Sequence, residues 1–367
     1  MMIRFRRTLM LGAGATGLAS CVGADPGSAS AHPTASGIRD DDAAAPMRDG
    51  RESVARGNPD SRPAADRRAE RFSFALIGDV PYGPREAASL PALLEDIAPR
   101  VSFGIHVGDI KGGSEPCSDS LLEARISALA RSRVPLVYTP GDNEWTDCWR
   151  PAAGEHDPLE RLGWLRKRVF EREPPLISAG VSSSVRDRLS GLARQRDVDG
   201  GPPENLLWRA GGVLFLTLNL PGSDNGRRAP IDDANRLDRD AHNRRWLEHG
   251  LGVALGERLA AIAIAVQANP GFGRGIDASR VLGDDGYAAF RHDLARLNSR
   301  FPGHLLLMHG DTHHFRVDRI LPRLTRVECF GSPFNGSWVR IDVDATRHPP
   351  FEIGIRHLGD SRNSTAG

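Results

Sequence analysis

The stretch Phe72-Ser73-Phe74-Ala75-Leu76-Ile77-Gly78-Asp79 decides the fold class, because an apolar run ends there in a glycine–aspartate pair. Apolar residues at consecutive positions are typical of a strand that is covered on both faces. Similar runs recur along the chain, at Phe103–Val107, Leu136–Thr139, Val213–Leu218, Ala261–Val266 and Leu305–Met308. Three of these runs are also followed by the pair, as Gly108-Asp109, Gly141-Asp142 and Gly310-Asp311.

Helical patterns lie between the predicted strands, at Ala88–Ile97, Ser120–Arg131, Leu159–Phe170, Asn235–Leu251 and Tyr287–Asn298. Alternation of strands and helices predicts an α/β domain. Near the C-terminus we expect strands without intervening helices, at Arg326–Phe330, Trp338–Val343 and Phe351–His357. We therefore expect one sheet to end in an antiparallel meander, with Trp338 and Phe351 in the core.

Residues 1–21 have the features of an export signal. Arg4, Arg6 and Arg7 precede a short apolar stretch, and Arg6-Arg7-Thr8-Leu9-Met10 is similar to a twin-arginine signal. Leu18-Ala19-Ser20-Cys21 is similar to a bacterial lipobox, which predicts acylation of Cys21 and a lipid-anchored protein of the cell envelope. The alternative is an ordinary signal peptide cut later, for instance after Ala31, which gives a soluble periplasmic or secreted protein.

Composition divides the rest of the chain. Residues 22–71 consist mainly of Ala, Gly, Pro, Ser, Asp and Arg, so they cannot bury enough apolar surface to offset the entropy of ordering. We predict a disordered tether there, one folded domain at residues 72–358, and a disordered tail at 359–367.

The charge balance bears on the partners of the protein. Lys and Arg number 48 and Asp and Glu 47, for a formal net charge of +1. A near-neutral protein without a basic stripe is a poor binder of nucleic acid, so no nucleic-acid partner is expected. With 40% hydrophobic residues the composition is that of a soluble globular protein, which excludes a multi-span membrane protein.

The remaining cysteines are Cys117, Cys148 and Cys329. Disulfides persist in exported proteins. Cys117 and Cys148 each follow a glycine–aspartate motif at a short distance, so we expect them to be joined, with Cys329 unpaired. The alternative is three free, buried thiols.

The four strand-end aspartates, Asp79, Asp109, Asp142 and Asp311, indicate a functional site. Loops at the C-terminal ends of strands build the sites of α/β sheets. Carboxylates that converge on one crevice repel one another unless cations neutralise them. The pattern therefore predicts a metal site, with helix N-capping as the structural alternative for each aspartate.

These residues resemble the motifs of the calcineurin-like metallophosphoesterases. The five motifs appear in the family's order, as Gly78-Asp79-Val80-Pro81, Gly108-Asp109-Ile110-Lys111, Gly141-Asp142-Asn143-Glu144, Gln267-Ala268-Asn269-Pro270 and Gly310-Asp311-Thr312-His313. Arg245-Trp246-Leu247 before the fourth motif is also similar to the family. The resemblance covers residues 72–316 and implies two mixed sheets packed as a sandwich and flanked by helices, with the metal site at the C-terminal ends of the strands.

The resemblance also implies two metal ions. One ion would be bound by Asp79, Asp109 and His313, and the other by Asp109, Asp142, Gln267 and Asp311, so that Asp109 bridges. The sequence departs from the family where histidines or asparagine are usual, at Pro81, Asp142, Asn143, Gln267 and Asp311. Because one imidazole and five oxygen donors remain, we expect Mn²⁺, Mg²⁺ or Ca²⁺ rather than Zn²⁺ or Fe.

Several residues near the motifs have two interpretations. Gln267 either binds a metal or only caps its strand. Lys111 either contacts an anionic substrate or lies in solvent. His314 is a candidate for contact with a phosphate oxygen. His309 and His106 are interpreted as structural strand residues, and Tyr82, Glu144 and Trp145 are expected at the rim of the site.

Two functions follow from this set. The first is hydrolysis of a phosphate mono- or diester by a metal-activated water, with Asp109 and Asn143 as the catalytic residues, on a phosphorylated small molecule or an envelope phosphoester. The second is an envelope binding protein of the same fold that has lost catalysis. An exported nuclease is disfavoured because the basic surface is missing.

Overall fold

The computed structural model describes residues 70–178, 188–227, 233–272, 285–360 and 364–365. The predicted signal, including Cys21, lies outside the described residues, as do nearly all of the tether and most of the tail. None of the described helices combines the length and apolar character that crossing a membrane requires.

The strands of the described residues are, in chain order, β1 (Phe72–Ile77), β2 (Phe103–His106), β3 (Leu136–Tyr138), β4 (Ser190–Arg194), β5 (Leu206–Ala210), β6 (Val213–Thr217), β7 (Ala261–Ala265), β8 (His304–His309), β9 (Arg316–Leu321), β10 (Leu324–Glu328), β11 (Ser337–Val343), β12 (Phe351–His357) and β13 (Ser364–Thr365). The helices are α1 (Gly83–Ile97), α2 (Asp119–Leu129), α3 (Pro158–Leu165), α4 (Gln195–Asp199), α5 (Asp233–Gly256) and α6 (Ala288–Arg300). Shorter helical turns cover Ala98–Arg100, Thr146–Trp149, Pro151–Ala153, Arg166–Phe170 and Gly222–Asn225.

The strands form two mixed sheets. The first sheet has the order β13-β12-β11-β1-β2-β3, and the second has the order β4-β5-β6-β7-β8-β10-β9. In the first sheet β1, β2 and β3 run parallel, whereas β11 pairs antiparallel with β1 and β12. In the second sheet β6, β7, β8 and β10 run parallel.

The expected antiparallel meander is confirmed for β11 and β12, and Trp338 and Phe351 are buried as predicted. The prediction that Arg326–Phe330 belongs to the same meander is wrong. That segment corresponds to β10, which pairs parallel with β8 and antiparallel with β9 in the second sheet. The β9–β10 hairpin extends the second sheet at its edge.

Three apolar layers hold the sheets and helices together. Between the sheets, aromatic rings of both interlock: Phe74 stacks on Phe103 at 5.3 Å between ring centroids, and Phe215 meets both edge-on. Leu90 and Leu94 of α1 lie in the cluster that covers the outer face of the first sheet. The helices α5 and α6 cover the second sheet. The expected sandwich of two mixed sheets flanked by helices is confirmed.

Local signals explain where two of the helices begin. The Ser118 hydroxyl accepts from the amide of Leu121 at 3.3 Å at the start of α2, and the Asp157 carboxylate accepts from the amide of Glu160 at 2.8 Å at the start of α3. Such caps satisfy amides that the first helical turn leaves without a partner.

Candidate metal centre

The motif loops lie at the C-terminal ends of parallel strands in both sheets. Asp79, Asp109 and Asp142 follow β1, β2 and β3 in the first sheet, and Gln267 and Asp311 follow β7 and β8 in the second. Because the sheets pack face to face, these two sets of loops meet at one edge of the sandwich.

The backbone of this edge is strained at the motif residues. The φ angles are 54° at Asp79, 57° at Asp109, 80° at Asp311 and 60° at His313. These values lie in the left-handed region that residues other than glycine rarely adopt. Such strain costs about 1–3 kcal/mol for each residue and clusters at functional sites, where the surrounding structure enforces it. The sharp turns direct the side chains toward the crevice.

The carboxylate of Asp79 joins the two sheets. Both of its oxygens accept from the backbone amide of Asp311, at 3.1 Å each. Gly310 is necessary for this contact, because a Cβ atom there would lie 2.1 Å from Oδ2 of Asp79. Cys329 lies on the other side, with its thiol 3.9 Å from the same oxygen.

Asp109 is held by two polar side chains. Its Oδ1 accepts from the amide of Asn143 at 3.1 Å, and its Oδ2 accepts from Asn143 Nδ2 at 2.7 Å and from the hydroxyl of Tyr82 at 3.0 Å. The Tyr82 hydroxyl is also 3.4 Å from Nε2 of His313. Tyr82 therefore lies between the bridging candidate and the only imidazole in the predicted ligand set.

His313 is oriented as a metal ligand would be. Its Nδ1 donates a hydrogen bond to the carbonyl oxygen of Ser332 at 2.6 Å. This contact leaves Nε2 toward the carboxylates, 3.7 Å from Oδ1 of Asp79. This arrangement is the one in which a metal-binding histidine is oriented by its second nitrogen.

The remaining predicted ligands converge beside the segment Gly222–Asn225. Oδ2 of Asp142 accepts from the Ser223 hydroxyl at 2.6 Å, and Oε1 of Gln267 accepts from the amide of Gly222. Oδ2 of Asp311 accepts from the amide of Asn269 at 2.9 Å. A Cβ atom at Gly222 would lie 2.8 Å from oxygens of both Asp142 and Asp311, so the chain approaches these carboxylates closely.

The carboxylates disturb one another electrostatically. Burial raises the pKa of Asp79, and the charges of Asp311 and Asp142 raise it further. Burial likewise raises the pKa of Asp109, with additional contributions from Asp142, Glu144 and Asp79. For Asp311, burial and the charge of Asp142 raise the pKa to about 7. A cluster of this kind indicates a functional site, because so much like charge is costly without compensation.

The residues fit divalent cations in charge and in chemistry. Four carboxylates, one amide oxygen and one imidazole are the donors that hard or borderline cations take. In the described ranges, however, no three or more His, Cys, Asp or Glu side chains are grouped closely enough to hold a metal ion. Their oxygens instead accept from Tyr82, Asn143, Ser223 and backbone amides.

The side chains expected around the site have different positions. Lys111 is fully buried, and its ammonium donates to the carbonyl oxygens of Gly112 and Glu115 at 3.2 and 2.9 Å. This geometry gives no support to a contact with substrate, and the solvated alternative is wrong. Lys111 instead contributes a positive charge beside buried Glu144. His314 is exposed, and its proposed contact with substrate stays a prediction.

Glu144 and Trp145 do not line the rim, because both are fully buried. Oε1 of Glu144 accepts from the amides of Asp109 and Gly141 at 3.0 and 2.7 Å and from the hydroxyl of Tyr138 at 2.7 Å. Glu144 therefore fastens the loop after β2 to the loop after β3. His106 and His309 are buried, as expected of structural residues. Both ring nitrogens of His106 and Nδ1 of His309 bond to backbone atoms.

The predicted disulfide is confirmed. Cys117 and Cys148 are joined, with 5.7 Å between their Cα atoms, and Cys329 is free and buried. The bridge links the segment after β2 to the helical turn that follows the Asp142 motif. It therefore fastens the loops that carry two of the predicted ligands.

Sequence analysis missed three side chains at this edge: Asp147, Arg150 and Ser223. The Ser223 hydroxyl lies 2.8 Å from Oδ2 of Asp147, and Nη2 of Arg150 lies 2.8 Å from the same oxygen. Burial and the charge of Asp142 raise the pKa of Asp147 to about 7. Asp147 and Arg150 could have been suspected because they lie only a few positions after the Asp142 motif. Nothing in the sequence marks Ser223.

Comparison with known proteins returned structures alone. No family model matches the chain, and no curated protein matches it. A dimetal phosphatase from Danio rerio is 14% identical at a TM-score of 0.47, and the match covers 80% of this chain and 98% of that one. A purple acid phosphatase from yellow lupin (Lupinus luteus) is 12% identical at a TM-score of 0.47, with 83% and 54% covered.

A 5′-nucleotidase from Candida albicans is 10% identical at a TM-score of 0.39, with 78% of this chain and 52% of that one covered. The chain thus spans about half the length of the lupin and Candida proteins. These names are those of phosphatases and a nucleotidase. The fold class of this chain is assigned from its own two sheets and from the motif loops at their common edge.

Proposed function

We propose that this protein hydrolyses phosphate esters with the help of divalent cations held at the edge where the two sheets meet. The observation that carries the proposal is the gathering of Asp79, Asp109, Asp142 and Asp311 from both sheets into one crevice. Burial and, after it, their mutual charge raise the pKa values of Asp79, Asp109 and Asp311. A cluster of caps alone has no need to place these charges side by side.

The residues that would hold the cations are those expected from the sequence: Asp79, Asp109, Asp142, Gln267, Asp311 and His313. Cations bound there would neutralise phosphoryl oxygens and lower the pKa of a bound water. Because the donors are mostly oxygens, we propose Mn²⁺, Mg²⁺ or Ca²⁺ in preference to Zn²⁺ or Fe.

Asn143 would act on the phosphoryl group directly. Its Nδ2 now donates to Asp109 and to the Tyr82 hydroxyl, at 2.7 and 3.0 Å, so it lies at the centre of the site. An amide can donate a hydrogen bond to a phosphoryl oxygen but cannot supply a proton to a leaving group. We therefore expect activity to be highest on esters with good leaving groups.

A specific observation favours a second function, which is an envelope binding protein without catalysis. Over the described part of the chain, no three His, Cys, Asp or Glu side chains are grouped closely enough to hold a metal ion. The potential ligands accept hydrogen bonds instead. Both oxygens of Asp109 already have donors. In this alternative the polar side chains close the crevice themselves and the protein holds one metal or none.

Metal analysis and ester assays on the same preparation separate the two functions. The purified protein is analysed for bound metal and assayed on a generic phosphate monoester and a generic diester, with Mn²⁺, Mg²⁺, Ca²⁺ or Zn²⁺ added. The hydrolase account expects bound metal and turnover that is highest with one of the first three cations. Absence of turnover with every cation contradicts it and supports the binding protein.

We further propose that the protein is exported and anchored to a membrane through an acylated Cys21. Its substrate would then be a phosphorylated small molecule or an envelope phosphoester. The wild type should partition with membranes, and Cys21→Ser should be released or remain unprocessed. A mature N-terminus found beyond Cys21 contradicts the anchor and supports the alternative of a soluble exported protein.

A further inference from the structure

Arg150 has a fixed position at the edge of the crevice. Its Nη2 lies 2.8 Å from Oδ2 of Asp147 and donates to the Ser223 hydroxyl at 3.1 Å. The Ser223 hydroxyl in turn donates toward Asp142 and Asp147, at 2.6 and 2.8 Å. The guanidinium is therefore tied to the predicted ligand Asp142 through a single hydroxyl.

The segment that supplies Ser223 is strained, and several contacts hold it. Ser223, Asp224 and Asn225 have φ angles of 51°, 58° and 58°, three consecutive left-handed residues. The Asn225 amide group donates to the Asp240 carboxylate at 2.9 Å, and its carbonyl oxygens accept from Arg239 at 2.6 and 2.7 Å. Strain that the surroundings enforce in this way is typical of functional segments.

The Arg150 guanidinium has donors to spare on Nε and Nη1. A guanidinium carries five N–H donors, whereas the contacts of Arg150 are an ion pair with Asp147 and a hydrogen bond to Ser223, both through Nη2. Within the described ranges no acceptor lies at hydrogen-bond distance from Nε or Nη1, and 43% of the side chain is exposed. An anion can therefore approach Nη1 without breaking an existing contact of Arg150.

The free side of Arg150 lies close to the side chain of the predicted catalytic amide. A Cβ atom at Gly113 would lie 3.8 Å from Nη1 of Arg150 and 2.9 Å from Oδ1 of Asn143. Arg150 and Asn143 therefore border the same backbone position. Lys111, the cation that follows the Asp109 motif, is buried and donates to carbonyl oxygens.

We propose that Arg150 binds anionic oxygens of the phosphoryl group, with Ser223 and Asp147 as positioning residues. This inference rests on the proposed function, since it names how that site recognises its substrate. The free Nη1 can donate a charge-assisted hydrogen bond to a phosphoryl oxygen while Nη2 keeps its contacts with Asp147 and Ser223. A monoester presents one more anionic oxygen than a diester does, so a site with both bound cations and Arg150 matches a phosphate monoester best.

Binding of inorganic phosphate to the full-length protein tests the inference without requiring turnover. Calorimetric titrations with phosphate are made in the presence and absence of Mn²⁺. Arg150→Gln should weaken phosphate binding by about tenfold or more, since it removes a charge-assisted hydrogen bond. Arg150→Lys should be intermediate, because it keeps the charge but loses the fixed, planar arrangement of donors.

The matched control is Arg168→Gln. Arg168 is exposed to a similar extent, at 40%, and pairs with Glu123 away from the motif loops. It should bind phosphate as the wild type does, and every variant should contain the wild-type amount of metal. Unchanged phosphate affinity in Arg150→Gln overturns the inference, and so does a wild type that binds no phosphate under either condition.

A double-mutant cycle tests the positioning role. Ser223→Ala should weaken phosphate binding several-fold, and adding it to Arg150→Gln should have no further effect, because Ser223 acts through Arg150. Additive effects overturn that role. If phosphate binds through Arg150 but no ester is hydrolysed, the proposed function fails and this inference stands. If esters are hydrolysed equally well by Arg150→Gln, the inference fails and the function stands.

Discussion

The backbone amide of Asp311 donates to both carboxylate oxygens of Asp79, at 3.1 Å each, across a sequence separation of 232 residues. Asp79 follows β1 of the first sheet, and Asp311 follows β8, a central strand of the second. The distance between two predicted metal ligands is therefore set by how the sheets pack. Substitutions at this contact should change stability and metal binding together.

Gly310→Ala tests the contact directly. The added Cβ would lie 2.1 Å from Oδ2 of Asp79, so the two sheets or the carboxylate must shift. We expect a loss of about 1–3 kcal/mol in the free energy of unfolding, the usual cost of overpacking, measured by urea denaturation. The control is Gly252→Ala, which has open space and lies within α5, and which should be neutral or stabilising. Equal effects of the two changes would contradict the account.

Glu144 should be a major stabilising residue of the motif loops. Glu144→Ala leaves three buried donors without their acceptor, namely the amides of Asp109 and Gly141 and the Tyr138 hydroxyl. At about 1–3 kcal/mol for each, the free energy of unfolding should fall by more than about 3 kcal/mol.

Glu144→Gln is the matched variant, because it keeps a carbonyl acceptor and removes a charge that raises the pKa of Asp109. It should lose much less stability than Glu144→Ala in the same denaturation experiment. If the two variants are equally destabilised, the three hydrogen bonds do not carry the effect.

His304 should make the fold sensitive to acid. Burial and, after it, the charges of Arg319 and His348 lower its pKa in the folded protein to about 4, against 6.5 for a free histidine. As the pH falls from about 6.5 to about 4, the unfolded state takes up the proton first, so the free energy of unfolding decreases. In His304→Gln this part of the decrease should be missing. Denaturation curves at several pH values that show the same dependence in both proteins would refute this.

The disulfide should stabilise the loops beside the site. Cys117 and Cys148 are separated by 31 positions in the sequence, and the bridge closes the loop between them. Replacing both by serine should lower the free energy of unfolding by about 3–4 kcal/mol. A reductant should destabilise the wild type and leave the double variant unchanged. Peptide mapping without reduction should find these two cysteines linked, and a bridge that includes Cys329 would contradict the structure.

The core strands could be predicted from the sequence because their signal is local. Ala261–Ala265 is apolar at every position and lies within the predicted run, since a strand covered on both faces excludes polar residues. The strands Ser190–Arg194 and Arg316–Leu321 were missed. Both are edge strands of the second sheet and carry exposed or partly exposed residues. Because they are not covered on both faces, their sequences contain no continuous apolar run.

The candidate site could be predicted only in part, for the same reason. Asp79 and Asp109 are marked by the strand before them, whereas Ser223 reaches Asp142 through contacts with residues far away in the chain. The burial of Lys111 and Glu144 also depends on the packing of neighbouring loops. Spacing in the sequence does not contain such information.

The metal content and activity of Asp109→Asn test the central claim most directly. Asp109 is the residue that both cations would share, so its change should abolish ester hydrolysis and release more than one equivalent of metal. Asp119→Asn, an exposed carboxylate on α2 that pairs with Arg161, should retain both, and Asp142→Asn should keep much of the metal. A wild type that holds no metal, with Asp109→Asn folded as stably or more so, would contradict the account.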